Sequence, residues 1–407
     1  MLKRLLAFVL IFALAAAPAI ALTGCDGGKE PAVPGDSTAP ADVDINVPEN
    51  YIPVVGRDGA LLGAIDSRAS CSAADAGIFY SVFELENYNT TGNAEYRFFR
   101  AETCEDILLG TLEGQGYEAV YSRTELNGRI YTLAVKGTPG GESVPLLLLA
   151  FDPALKMMKT FTVSENGFPY ADMAAVNGKL LIMNHETNGM KYDKLYEFDP
   201  ASETVGEVLS FTAATDSLRG VCSAENGFYL LRLKVGAGGN EMFVDLYDNA
   251  FNKTAERSVN EALVNAIMTI PGMLGRQDAL NEIGMNISHF SVTGGKYMFY
   301  ENFGLSRVIV DLETGETLLA KEDLYSVSTG SGSPLVYRMD FDSEGVNAPE
   351  ITGLESGKLV NFEFKPVDSH KLVRSVSRSN GGTWVVVTSD DPRSFAWTLA
   401  VHLWTEP

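Results

Sequence analysis

A structural unit repeats along this chain at intervals of about 50 residues. Two markers recur. Asn-Gly pairs, which are typical of tight turns, stand at 127–128, 177–178 and 226–227. Aspartates that end an apolar stretch stand at Asp152, Asp199 and Asp248. The sequence between them consists of short β-type runs bounded by turn residues, and helical periodicity is scarce. Each unit, clearest in residues 171–211, is expected to form four strands.

A four-stranded unit of about 40 to 50 residues is typical of a β-propeller blade. The same register predicts blades around Gly77 and around Gly294–Gly295, a weaker one at 334–368 and a last one at 370–407. We therefore expect an all-β domain over 51–407, a β-propeller of about seven four-stranded blades, with six or eight as alternatives.

The last unit is short of a strand, whereas the two apolar runs at 51–66 are strands without a blade of their own. We predict that the N-terminal strand completes the last blade and closes the ring. Closure protects sheet edges that would otherwise pair with other chains.

Residues 258–286 make one interval longer than the others. Ser258 and Glu261 fit a capping box, apolar residues follow at helical spacing, and Pro271 ends the run. We expect a helical insertion near 258–286 on one rim of the ring. Its apolar stripe either packs on the ring or is free to bind a partner.

Residues 1–24 have the charged start and the apolar stretch of a secretion leader. Leu22-Thr23-Gly24-Cys25 resembles the lipobox of bacterial lipoproteins, in which the cysteine thiol receives a diacylglyceryl group and the chain is cut on its amino side. The resemblance implies cleavage between Gly24 and Cys25 and lipidation of Cys25. Cleavage after Ala19-Ile20-Ala21 and an uncleaved anchor are the alternatives.

A lipidated Cys25 would tie the protein to the membrane without spanning it. Residues 25–50 are rich in Pro, Gly and acidic groups and have few bulky apolar residues, so they are expected to be a disordered tether. The expected location is the extracytoplasmic face of the bacterial plasma membrane.

The chain is acidic, with 31 Lys and Arg against 53 Asp and Glu. A surface of this sign repels phosphate backbones, which argues against nucleic acid as a partner. Its four cysteines, Cys25, Cys71, Cys104 and Cys222, are too few for a disulfide framework. Cys71 and Cys104 either form one bridge, in an oxidising compartment, or are two separate buried thiols.

No cofactor is predicted, with calcium as an alternative. Asp340, Asp342 and Glu344 alternate before a glycine as in a calcium loop, but Ile351 stands where such a loop has its bidentate Glu. These three acids are candidate metal ligands, and a polar turn between strands is the other interpretation.

The four histidines show no spacing typical of a zinc hydrolase. His185, in a loop of the most regular blade, is a candidate binding residue or a solvated loop histidine. His402 and Trp404, on one face of the last strand, are further binding candidates, since a Trp ring packs on sugars; packing within the sheet is the alternative.

The sequence SRSNGGTW at 377–384 resembles the Asp-box of sialidases and related propellers. Ser377, Gly381, Thr383 and Trp384 match that motif, and Ser379 stands where the family has Asp. In that family the box is a hairpin remote from catalysis. The resemblance therefore implies the fold and no chemistry.

Nucleophile elbows, phosphate loops and dinucleotide fingerprints are absent from the sequence. The first functional hypothesis is a membrane-anchored, non-catalytic binding or scaffolding module for a protein, peptide or glycan. The alternative is an envelope enzyme acting on glycans, with carboxylates from several blades meeting at one mouth of the central channel.

Overall fold

The computed structural model describes residues 50–86, 89–113, 116–136, 145–166, 172–184, 193–211, 215–236, 239–268, 275–276, 279, 287–302, 306–321, 324–327, 335–338, 350–353, 359–360, 372–379, 381–389 and 399–405. These residues form seven antiparallel or mixed sheets and one α-helix. The chain therefore folds as an all-β propeller of seven blades, as the repeat predicts.

Blades 1 to 6 each contain four consecutive antiparallel strands in chain order. Blade 1 has β3 (Ala69–Ala74), β4 (Gly77–Glu86), β5 (Asn89–Arg100) and β6 (Glu105–Leu112). Blade 2 has β7 (Gly116–Leu126), β8 (Arg129–Lys136), β9 (Leu146–Asp152) and β10 (Met157–Ser164). Blade 3 has β11 (Met173–Val176), β12 (Lys179–Asn184), β13 (Lys194–Asp199) and β14 (Thr204–Ser210).

Blade 4 has β15 (Asp216–Ala224), β16 (Gly227–Gly236), β17 (Gly239–Asp248) and β18 (Lys253–Ser258). Blade 5 has β19 (Ile287–Thr293), β20 (Tyr297–Asn302), β21 (Ser306–Asp311) and β22 (Thr317–Lys321). Blade 6 has β23 (Leu324–Val327), β24 (Leu335–Arg338), β25 (Glu350–Gly353) and β26 (Leu359–Val360). Blade 6 thus begins before the predicted 334, because its first strand lies ahead of the run that the repeat register selects.

Both ends of the domain contribute to blade 7. Its C-terminal strands are β27 (Leu372–Arg378), β28 (Thr383–Ser389) and β29 (Leu399–Thr405), and its N-terminal strands are β1 (Tyr51–Gly56) and β2 (Leu61–Asp66). Strand β1 pairs with β29 in parallel, with Val54 opposite Val401, and β2 pairs with β1 in antiparallel. The predicted closure by the N-terminal strand is confirmed, and the blade has five strands because two join it.

Aspartates play the same local part in blades 2 to 5. Each ends the third strand of its blade and accepts backbone N–H groups two to four residues later, at 2.7–3.4 Å, namely Asp152, Asp199, Asp248 and Asp311. The turns that follow these aspartates use a positive φ, at Lys156, Glu203, Phe251 and Gly315, and the corresponding turn of blade 1 does so at Cys104. The repeat in the sequence is thus a repeat of one turn, in which a carboxylate replaces missing backbone partners.

The third Asn-Gly pair is one residue out of step with the other two. Residues 127–128 and 177–178 form the first turns of their blades with positive φ at both positions, whereas in blade 4 the turn is 225–226. Gly227 instead begins β16, where a Cβ would lie 1.9 Å from the Tyr247 carbonyl oxygen. Glycine at this position allows β16 to lie close to β17.

The core lies between the blades. Five clusters of buried apolar side chains each join two consecutive blades, from blades 7 and 1 through to blades 4 and 5. Strand β9 shows why: Leu147, Leu149 and Phe151 face blade 1, and the alternate residues face blade 3. The Phe151 ring lies 4.8 Å from that of Tyr96, and full burial of such a side chain contributes about 1.5–3 kcal/mol.

The insertion contains helix α1 (Asn260–Met268), which begins directly after β18. The Ser258 hydroxyl accepts the Asn260 N–H at 3.4 Å. Leu263 and Ile267 are fully buried in the core between blades 4 and 5. The apolar stripe therefore packs on the ring.

In the described part of the chain, no helix has the length and apolar character needed to cross a membrane. Cys71, Cys104 and Cys222 are free thiols. The expectation that Cys104 is buried is wrong, because this residue lies in the exposed turn between β5 and β6.

Candidate functional site

The two rims of the ring differ in the connections that they carry. Because neighbouring strands of a blade are antiparallel, the first-to-second and third-to-fourth connections lie on one rim, here called the turn rim. The other connections lie on the opposite rim, here called the loop rim. The longest sequence segments join strands at the loop rim and include 137–145, 185–193, 259–286, 339–349, 361–371 and 390–398.

Several predicted site residues lie outside the described part of the chain: Gly24, Cys25, His185, Asp340, Asp342 and Glu344. Their roles stay predictions. The histidine and the three acids belong to segments 185–193 and 339–349, whose flanking strands end at the loop rim. Among the residues that are described, no three His, Cys, Asp or Glu side chains group as a metal site.

His402 and Trp404 lie on β29 within blade 7. His402 is fully buried, and its Nε2 lies 3.1 Å from Thr388 Oγ1 on the neighbouring strand. Trp404 stacks on Trp384, with ring centroids 6.2 Å apart. The fold therefore uses both side chains for packing in the closing blade, and a binding role for either stays a prediction.

A carboxylate from blade 1 enters the hairpin between β27 and β28 of blade 7. The Gly381 N–H donates to Asp75 Oδ1 at 2.7 Å, and the Ser379 hydroxyl also hydrogen-bonds to this carboxylate. A Cβ on Gly381 would lie 2.6 Å from Asp75 Oδ1, so glycine allows this approach. Asp75 thus brings a carboxylate to the hairpin that resembles an Asp-box, in which Ser379 stands at the position of the aspartate.

Two further hydrogen bonds join the same blades. The Ala73 N–H donates to Ser377 Oγ at 2.8 Å, and the Ala76 N–H donates to Thr383 Oγ1 at 3.2 Å. Ser377 and Thr383 are matching positions of the Asp-box resemblance, so this motif connects blade 7 to blade 1. Residues 73–76, 377–379 and 381–383 are called the seam below.

Glu125 of blade 2 reaches the seam from the other side. Its Oε1 accepts the Asp75 N–H at 2.8 Å, and its carboxyl group also interacts with the Asp75 carboxylate. Its Oε2 is buried, and no donor among the described residues reaches it. Burial, followed by the negative charge of Asp75, raises the pKa of Glu125 to about 8.

The same surroundings act in the opposite direction on Asp75. Burial on its own would raise the pKa of Asp75, but hydrogen bonds from Ser379, Gly381 and Glu125 outweigh burial and hold this pKa below its usual value. At neutral pH the pair therefore carries one proton and one negative charge.

The two carboxyl groups influence each other across the contact between blades 1 and 2. The negative charge of Asp75 disfavours ionisation of Glu125, whose Oε1 accepts the Asp75 N–H.

Arg123, two residues before Glu125, holds blade 2 against blade 1. Its guanidinium donates to Ser72 Oγ at 3.0 Å and to Ser81 Oγ at 3.4 Å, and it lies 5.0 Å from the centre of the Phe79 ring. The positive charge of Arg123 therefore interacts with side chains of blade 1, at the contact between blades 1 and 2.

A cavity of about 60 Å³ lies on the turn rim between blades 3 and 4. Lys179, Glu197, Phe228 and Phe251 contribute to its walls, and Lys179 Nζ lies 2.5 Å from Glu197 Oε1. Small-molecule sites are commonly about 300–1,000 Å³, so this cavity is too small for a sugar or a drug-sized ligand.

The contact between Asp75 and Glu125 was not predicted from the sequence. Both acids lie beside the first turns of successive blades, Asp75 in the turn and Glu125 at the end of β7. The repeat register places such turns on neighbouring blades of one rim, and this is the signal that could have found the pair.

No protein-family model and no curated protein matches this chain. Among solved structures, it is similar to the WD40 β-propeller domain of Doa1, at 11% identity over 88% of this chain and 94% of that chain, with a TM-score of 0.43. It is also similar to an acylaminoacyl peptidase of Pyrococcus horikoshii, at 10% identity over 71% of this chain and 44% of that chain, with a TM-score of 0.45. The fold follows from the chain's own strand pairing.

Proposed function

We propose that this protein is a lipid-anchored, extracytoplasmic binding module that holds a protein, peptide or glycan at its loop rim. The observation that carries the proposal is the difference between the rims. Tight turns close most of one rim, whereas the longest connections start and end on the other. Loops on a rigid scaffold are where binding residues concentrate.

The candidate residues of the sequence agree with this choice of rim. His185, Asp340, Asp342 and Glu344 all belong to segments between strands that end at the loop rim. Strand β1 is parallel to β29, so the chain also enters the ring at the loop rim. The chain directly ahead of Tyr51 is thus joined to the same rim as these segments.

The binding part can be tested by thermal unfolding of the full chain with a panel of cell-wall glycans, oligosaccharides and peptides. A ligand that binds the native state alone raises its unfolding temperature. Shortening 185–193 or 339–349 to an Asn-Gly turn should abolish the rise. Replacing the turn 153–156 with the turn 200–203 is the matched control on the other rim and should leave it unchanged.

A rise that survives both loop deletions and disappears in the control would place the binding site on the turn rim and contradict the proposal. If no compound in the panel raises the unfolding temperature, the same variants are compared in pull-downs of membrane proteins from the native host. Equal capture by all variants would also contradict a site at the loop rim.

The anchor can be tested separately with Cys25→Ala. Wild-type protein should incorporate an alkynyl palmitate analogue and sediment with membranes, and the variant should do neither. Membrane association of Cys25→Ala equal to that of the wild type would refute the lipid anchor and leave an uncleaved leader as the explanation.

A further inference from the structure

We propose that Asp75 and Glu125 form a proton-dependent latch on the ring. A proton on Glu125 keeps blades 7, 1 and 2 together at the turn rim, and its loss loosens the seam. The inference concerns ring closure and goes beyond the proposed binding function.

The latch stands where three blades meet. Asp75 is bound on one side by Gly381 N–H of blade 7 at 2.7 Å, and its own N–H donates to Glu125 of blade 2 at 2.8 Å. One turn of blade 1 therefore joins the closing blade to the second blade. If Glu125 lost its proton, a second negative charge beside Asp75 would weaken the contacts of blade 1 with blade 7 and with blade 2.

The charged groups around Glu125 are engaged elsewhere. Strand β11, packed beside β7, has no charged residue. The basic side chains on the neighbouring elements have the following partners: Arg123 with Ser72 and Ser81, Arg129 with Asp152, Arg97 with Asp106 and Glu95, Arg100 with Glu105, and Arg378 with the ring of Trp384. The negative charge of Asp75 disfavours ionisation of Glu125, and a proton on Glu125 removes the repulsion.

The sign of the effect follows from the direction of the shift. The pKa of Glu125 is raised in the closed ring to about 8, so the closed ring holds a proton that the loosened ring releases. The stability of the seam is then greatest below the usual pKa of a glutamate and falls as pH rises toward 8. One such proton changes an equilibrium by at most about tenfold per pH unit, and solvent near the exposed Asp75 reduces this.

Two half-buried thiols offer a local readout. Cys71 lies on β3 and packs against the core between blades 7 and 1, where burial raises its pKa to about 11. Cys222 lies on β15, packs against the core between blades 4 and 5, and its pKa is also raised by burial. Opening of the seam would increase the exposure of Cys71 and leave that of Cys222 unchanged.

The test is maleimide labelling of the full native chain at pH 6 and pH 8, with the label on each cysteine quantified by peptide mass spectrometry. The measured quantity is the ratio of labelling rates, Cys71 over Cys222, which cancels the general increase of thiolate with pH. In the wild type we expect this ratio to rise about tenfold or more from pH 6 to pH 8. In Glu125→Gln, which keeps the shape and loses the charge, we expect it to stay constant.

Two further variants make the result decisive. Glu225→Gln removes an exposed acid from the equivalent turn of blade 4 and should behave as the wild type. Asp75→Asn removes the other charge of the pair and should also flatten the pH response. The proposal is overturned if the wild type and Glu125→Gln show the same pH response, or if the wild-type ratio does not change with pH.

Discussion

Arg232 of blade 4 is bound by three carboxylates, and its removal should strongly destabilise the protein. Its guanidinium lies 2.6 Å from Asp216, 2.6 Å from Asp245 and 2.7 Å from Glu256. The side chains of Asp216 and Glu256 are 25% and 43% exposed, so water replaces their partner at a cost of about 0–1 kcal/mol each. Asp245 is fully buried, and the basic group that remains near it among the described residues is Lys253 Nζ, at 3.8 Å.

The Asp245 carboxylate therefore determines how much stability is lost when Arg232 is removed. Breaking a buried ion pair by removing one partner costs about 3–5 kcal/mol, so we expect a loss of this size for Arg232→Met. The double variant Arg232→Met, Asp245→Leu removes both charges and should be more stable than Arg232→Met alone. Chemical denaturation followed by far-ultraviolet circular dichroism measures both values. A loss below about 1 kcal/mol for Arg232→Met, or a double variant less stable than the single one, would refute this reasoning.

Three smaller perturbations test other parts of the fold. Gly77→Ala should cost more than about 3 kcal/mol, because the new Cβ would lie 2.1 Å from a carbonyl oxygen of the neighbouring strand; Gly206→Ala, with nothing within 4 Å, is the control and should change thermal unfolding little. Cys104→Gly should stabilise the protein by about 0.5–1 kcal/mol, because Cys104 has a φ of 54° that glycine adopts freely; an unchanged midpoint of denaturation would contradict this. Thr388→Val should cost about 1–2 kcal/mol by removing the hydroxyl 3.1 Å from buried His402, and a stability equal to the wild type would show that this contact contributes nothing.

The sequence predicted the parts of this fold that depend on local chemistry. The aspartates at the ends of third strands, such as Asp199, recur because each accepts N–H groups of the turn that follows it. The helix at Asn260–Met268 is likewise visible from residues close to it in the chain. Closure by the N-terminal strand could be predicted because a blade short of a strand needs one.

Contacts between residues far apart in the chain could not be predicted from the local sequence. The parallel direction of β1 depends on how two ends of the chain meet, and nothing in either segment specifies it. The hairpin at 377–384 was expected to lack its carboxylate, since Ser379 holds that position, and Asp75 of the next blade brings one there. Glu125 has its raised pKa only because blade 2 lies beside blade 1.

The position of β1 determines how the ring responds to mechanical load. Strand β1 is hydrogen-bonded on both sides, to β29 and to β2, and its first residue, Tyr51, lies at the loop rim. A pull on the chain ahead of Tyr51, away from that rim, acts along the strand axis, so the hydrogen bonds to both neighbours resist together in shear. A strand peeled from an open edge would release its bonds one at a time. The closing blade is thus built to transmit tension from the N-terminal segment into the ring without unzipping.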